Sequence, residues 1–337
     1  MISIAGNVLT YVGIVIVGFL VWAALSPFEV MGWWAGWFGD TLYREDIPSE
    51  DGLVRAVRPQ TDSYVVFMSG IGRVSSETLS YRERDFLRRL ALAMPRTVII
   101  DDVFPYSVNG VPLTGQPFFA RLWRMALRSK LHGPKLVGYL INIRNLWQVM
   151  ISADKRYGPM FNQAAAEVIL DGLMRYDYDP EGNAPIYLVG SSGAMQIAAG
   201  AAGYLAESIA GPIVLISLGG IFSSDPSLLA VQHIYHLQGS RDGAQKLNYL
   251  APGKWSIFAS SEWNRMRRQG RVTAINMGPM SHLGRGSYLD ATSELPDGTP
   301  YVERTVDVIQ DIVQRSMYGA TAEPTRSEQA EIVPSHT

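Results

Sequence analysis

The chain has 337 residues, 47% of them hydrophobic and 18% charged, which is enough apolar surface for a packed core and too much for a disordered or fibrous chain. With 29 Lys+Arg against 31 Asp+Glu, it lacks the broad basic surface that drives binding through counterion release, so nucleic acid is excluded as a partner. Cysteine is absent, which removes disulfides, thiolate zinc sites, iron–sulfur clusters and a Cys nucleophile.

From Met1 to Pro27 no side chain is charged, and ISIAGNVLTYVGIVIVGFLVWAAL is apolar on every face; about 20 such residues span a bilayer. Trp22, Trp33, Trp34 and Trp37 suit the headgroup boundary near its exit. Residues 1–38 are therefore expected to form a single transmembrane anchor with an interfacial aromatic segment. A cleaved signal peptide fits less well, because the basic start is missing and the apolar run exceeds the usual ~7–15 residues. Arg44, Arg55 and Arg58 follow the anchor, interspersed with acids, and weakly favour a cytoplasmic domain. Residues 39–59 read as a linker.

Over residues 60–317, short β-branched apolar runs alternate with helical patterns, the signature of an α/β domain with a mostly parallel sheet wrapped by helices. Strands are expected at 64–68, 97–100, 186–189, 212–217, 233–237 and 272–276, and helices around 77–94, 159–175 and 194–208. The stretch 105–154 reads as an insertion with a cap or lid. Within it, FFARLWRMALRSKL aligns Arg121, Arg124 and Arg128 on one helical side, an arrangement suited either to a membrane surface or to an ordinary solvated stripe. Residues 186–222 carry a single charge, Glu207, and read as a buried β-α-β unit in preference to a pair of membrane helices. The tail, 318–337, is polar and aperiodic and is expected to be disordered.

The turn in that unit, IYLVGSSGAMQIAAGAA, joins an apolar strand to an Ala-rich helix. A serine on such a strained turn can act as a nucleophile if the residues two before and two after it are small, so that strand and helix approach closely. Gly190 and Ala194 meet that demand for Ser192. Ser191 would place β-branched Val189 in the tight corner.

Here the chain resembles the α/β-hydrolase superfamily of serine esterases and lipases, with Ala194 in place of the last glycine of G-x-S-x-G. The resemblance implies an acid and then a histidine after later strands. Asp242, after HIYHL, and His282, after VTAIN, stand in that order. Asp225 is the alternative acid. His233 and His236 lie in or beside a strand, His132 adjoins a Gly-Pro turn and His336 is in the tail. The resemblance further implies an oxyanion hole from the N–H groups of Gly193 and, from the loop after the first strand, Ile71.

That loop, Gly70-Ile71-Gly72-Arg73-Val74-Ser75, also half-matches a dinucleotide fingerprint with Asp101 or Asp102 as the acid, but Ser75 replaces a small residue and the spacing is too long. The expectation is thus a membrane-anchored serine hydrolase acting on an ester, thioester or related acyl bond, with a small-molecule or lipid substrate, no cofactor and no metal. The competing expectation is the same fold serving as a non-catalytic scaffold at the membrane.

Overall fold

The computed structural model describes residues 61–73, 79–106 and 135–318, together with Gly13 and Val17. Those two residues aside, the expected anchor lies outside the described residues, as do the linker, the Arg121, Arg124 and Arg128 stripe and the tail beyond Tyr318. Among the described residues no helix is long and apolar enough to cross a membrane.

The elements in chain order are β1 (Ser63–Met68), α1 (Tyr81–Ala93), β2 (Thr97–Ile100), α2 (Lys135–Ala153), α3 (Gly158–Met174), β3 (Ile186–Ser191), α4 (Ala194–Ala206), β4 (Ile213–Leu218), β5 (His233–Gln238), α5 (Glu262–Arg268), β6 (Val272–Asn276) and α6 (Tyr301–Tyr318). The six strands form one sheet in the order β2-β1-β3-β4-β5-β6, and every neighbouring pair is parallel. This is a parallel α/β sheet flanked by helices, an arrangement that fits the α/β-hydrolase fold.

Burial on both faces explains the continuous apolar strands. Along β1, Tyr64, Val66 and Met68 join one core with Ala164, Ile169, Ala198 and Ala202 of α3 and α4. The alternate residues Val65 and Phe67 join a second core with Phe86 and Leu90 of α1 and Val302 and Ile309 of α6. Period-two alternation thus feeds two apolar layers.

The low charge of residues 186–222 has the same origin. Helix α4 lies against both the sheet and α3, and at Gly200 an added Cβ would come within 2.3 Å of Asn162 Nδ2. Only small residues permit that approach. α1 begins later than the sequence pattern suggests, because Ser80 and Glu83 form a capping box that satisfies the first free amides. β3 runs two residues further than expected, since Gly190 and Ser191 still pair with Ser217 and Leu218.

The direction of the chain places the chemistry. Chain order turns back between β1 and β3, and parallel sheets bind ligands beyond the carboxyl ends of the strands at such a switch point. The Gly70 turn follows β1 and Ser192 follows β3.

Candidate active site

Ser192 holds φ at +54°, a left-handed conformation unfavourable for a residue with a Cβ and often retained at functional sites. Three backbone bonds keep it there: its N–H donates to Leu218 O (3.3 Å), and its carbonyl accepts from Met195 (3.2 Å) and Ile221 (3.1 Å). The flanking positions must be small, as a Cβ on Gly190 would lie 3.0 Å from Met195 Cα, and Ala194 is fully buried.

His282 connects this serine to the acid. Its Nε2 is 2.9 Å from Ser192 Oγ, and its Nδ1 is 3.0 Å from Asp242 Oδ2. Positions separated by 50 and 40 residues meet because β3, β5 and β6 all end at the same edge of the sheet. Burial pushes the Asp242 carboxyl up, but hydrogen bonds from His282, Tyr288 and Gln245, with the attraction of His282, outweigh it and hold the group below its ordinary value. Asp242 also accepts from Ala244 N–H through Oδ1 (3.0 Å), so it is a local turn former and a partner of His282 at once.

The other sequence candidates are placed differently. Asp225 accepts from Ser227 N–H (2.9 Å) as the cap of a short 3-10 turn. His233 Nε2 lies 2.8 Å from Thr273 Oγ1. His236 is buried, with Nδ1 2.8 Å from Ser217 Oγ, and burial, with Lys254 nearby, pushes it down to about 3; it is neutral at pH 7. His132 and His336 lie outside the described residues.

On the nucleophile side, Ile71 packs against Gly193: a Cβ on Gly193 would lie 3.1 Å from Ile71 Cγ2 and 2.9 Å from Val149 Cγ2. Gly70 also faces Ser192, with an added Cβ 3.5 Å from Ser192 Cβ. The turn is held by Asn145 of α2, whose Nδ2 donates to Ile71 O (2.8 Å) and Arg73 O (2.7 Å). Tyr106 Oη donates to Ser69 O (3.0 Å). Arg73 itself points away, donating to Asp101 O (2.6 Å), while Asp102 pairs with Arg175 at 2.9 Å. The half-match to a dinucleotide loop is thus occupied by structural contacts. The described part of the 105–154 stretch supplies α2, which forms a wall of the site.

Several supporting residues carry no sequence signal. Tyr288 Oη donates to Asp242 Oδ2 (2.9 Å) and accepts from Gly239 N–H (2.7 Å) and Gln245 Nε2 (2.6 Å). Burial and the charge of Asp242 push the Tyr288 phenol far up, so it remains a donor. Asp290 accepts from Gly286 N–H (2.6 Å), Thr292 and Ser293 and thereby fixes the loop that carries His282. Burial pushes its carboxyl up, yet these bonds bring it down to about 2.

Tyr288→Phe is expected to weaken turnover roughly tenfold, the effect of one hydrogen bond to a charged group. The lost donor lets the Asp242 carboxyl rise towards its ordinary value, so activity on the acid side is expected to fail at a higher pH than in the wild type. A pH profile of kcat/KM measured beside a thermal melt checks this, and an unmoved acid limb would leave Tyr288 a packing residue only.

Among solved structures the chain is similar to one titled "Crystal structure of esterase PE8", at 14% identity and a TM-score of 0.41, over 78% of this chain and 96% of that one. No family model and no curated protein matches the chain. The chemistry below rests on the geometry of the site itself.

Proposed function

We propose that this chain is a serine hydrolase that cleaves an ester, thioester or related acyl bond through an acyl-enzyme. The observation that carries the reading is the unbroken line from Ser192 Oγ through the two ring nitrogens of His282 to Asp242, on a serine held at positive φ.

The steps follow from proton affinities. A serine hydroxyl is protonated at neutral pH and attacks weakly, so His282 Nε2 takes its proton as Oγ bonds to the acyl carbon. Asp242 holds the ring with Nδ1–H facing it and stabilises the imidazolium. The carbonyl oxygen becomes negative, and the N–H groups of Gly193 and Ile71 would donate to it; such donors are each worth about 10²–10³-fold in rate. Collapse of the tetrahedral intermediate expels the alcohol or thiol, which takes the proton from His282. Water then attacks the ester on Ser192 with the same histidine as base, releasing the acid and restoring the serine.

The uncharged apolar run before Pro27 supports a membrane-anchored version of this enzyme, with an acyl lipid as substrate. A fluorophosphonate probe reacts with an activated serine and leaves an ordinary hydroxyl untouched. The folded chain, in detergent and in membranes, is expected to be labelled, and the label is expected to be lost after heat denaturation and in His282→Ala. An unlabelled folded protein in both settings would sink the hydrolase reading in favour of a non-catalytic scaffold.

A further inference from the structure

The segment that follows Asp242 is built with its polar groups inward and its apolar groups outward. Gln245 reaches back to Asp242 and Tyr288. Asn248 donates to Gly220 O (2.9 Å) and accepts from Phe222 N–H (3.2 Å) and Lys254 Nζ (2.7 Å). From α5, Asn264 donates to Trp255 O (2.8 Å) and Phe258 O (3.1 Å). These bonds fix the backbone of residues 243–261 against the body of the protein. Its large apolar side chains face out: Leu247, Tyr249, Leu250, Trp255, Ile257 and Phe258 are 45–77% exposed.

Leu283, the neighbour of His282, is 78% exposed, so apolar surface begins beside the acid and beside the histidine alike. Six exposed large apolar side chains within residues 247–258, with Trp255 against Phe258 and bonded to Tyr249 O, are denser than the single apolar residues common on surfaces, and such density marks an interaction site. Its charge identifies the partner. Exposed Arg241, Lys246 and Arg285 stand among these residues, and buried Asp242 is the one acid in 241–261 and 279–289. Tyr and Trp side chains beside cations suit the boundary between headgroups and acyl chains, and the cations suit anionic lipid. A second copy of the same face would bring like charges together.

We propose that this rim docks on an anionic lipid surface, so that the Ser192 site opens towards acyl chains held in the bilayer. The idea deepens the hydrolase reading and rests on it for the chemistry; the docking itself is independent of turnover.

The absence of cysteine makes the test site-specific. An environment-sensitive fluorophore is placed on Ile257→Cys, a position 77% exposed, and for comparison on Leu92→Cys in α1, 71% exposed. Each full chain, in a Ser192→Ala background, is reconstituted into phosphatidylcholine vesicles with and without phosphatidylglycerol, both containing doxyl-labelled lipid. A blue shift and doxyl quenching are expected at position 257 in the anionic vesicles. Both should diminish without phosphatidylglycerol and in Lys246→Gln with Arg285→Gln, and position 92 should show neither. A label at 257 as solvated as that at 92 in all vesicles overturns the proposal, as does quenching indifferent to phosphatidylglycerol. A shift that follows the protein-to-lipid ratio instead of lipid composition assigns the face to a second copy and overturns it too. Since the serine is already absent, failure here leaves the fluorophosphonate result standing, and the reverse also holds.

Discussion

Ser192→Ala is expected to lower kcat for acyl-ester cleavage by roughly 10⁴–10⁶-fold, the loss seen when an activated nucleophile is removed from a coupled set. The size follows from the division of labour. In the proposed chemistry only Oγ of Ser192 bonds to the acyl carbon, and His282 has no other hydroxyl at hydrogen-bond distance among the described residues. What survives is the contribution of binding and of the oxyanion donors, which do not depend on the hydroxyl.

Ser191→Ala is the companion measurement. Ser191 is the last residue of β3 and pairs with Leu218, so its loss should leave kcat near that of the wild type. Steady-state kinetics on a chromogenic acyl ester, with active-site titration, separates the two. A Ser192→Ala protein that keeps wild-type turnover would remove the nucleophile from the scheme, and equal losses at both serines would point to damage to the turn.

Gly239→Ala carries the second large effect, and it acts without touching substrate. A Cβ at this position would stand 2.2 Å from Met280 O and 2.8 Å from Met280 C, contacts with backbone that no rotamer can relieve. Gly239 lies where the loop of the acid crosses the loop of the histidine. Ser240 N–H donates to Gly278 O (2.8 Å) and Arg241 N–H to Met280 O (3.2 Å), so separating the strands of this crossing moves Asp242 relative to His282.

Overpacking of this kind costs about 1–3 kcal/mol, and a displacement of about 1 Å in a reacting group costs about 10²-fold in rate. Gly243→Ala provides the contrast, because an added Cβ there meets nothing within 4 Å. Denaturant unfolding and kinetics on both variants should show Gly239→Ala impaired in each and Gly243→Ala in neither. A Gly239→Ala enzyme with full activity would mean that this crossing does not set the geometry of the site.

The sheet was readable because burial on both faces writes long apolar runs such as Tyr64 to Met68 and Ile213 to Leu218. The turn at Ser192 was readable for a steric reason, since few residue types fit at Gly190 and Ala194. Asp242 and His282 could be nominated by their order after strands, but no periodicity reports that side chains 40 residues apart will meet. Tyr288 and Asn145 were out of reach altogether: a tyrosine three residues after Arg285 and an asparagine within an apolar helix look like packing until their partners are placed.

Helix α6 is not among the expected elements although its signal is present in the chain. Val302, Val306, Ile309 and Val313 are buried and repeat at helical spacing. The capping box that sets the start of α1 was likewise legible as Ser80 and Glu83.

The parallel arrangement also bears on when the molecule becomes competent. A hairpin brings its partners together within a few residues, whereas every pairing in this sheet spans a crossover, and such long-range contacts form slowly. His282 follows β6, the outermost strand beyond β5, and its loop is fastened to the start of α6 by bonds from Tyr301 N–H to Ser293 O and Val302 N–H to Asp290 O. During synthesis Ser192 emerges 90 residues before His282. Under the proposed chemistry a nascent or half-folded chain therefore holds an inert hydroxyl, and labelling of that serine would report that the last strand and the closing helix have docked.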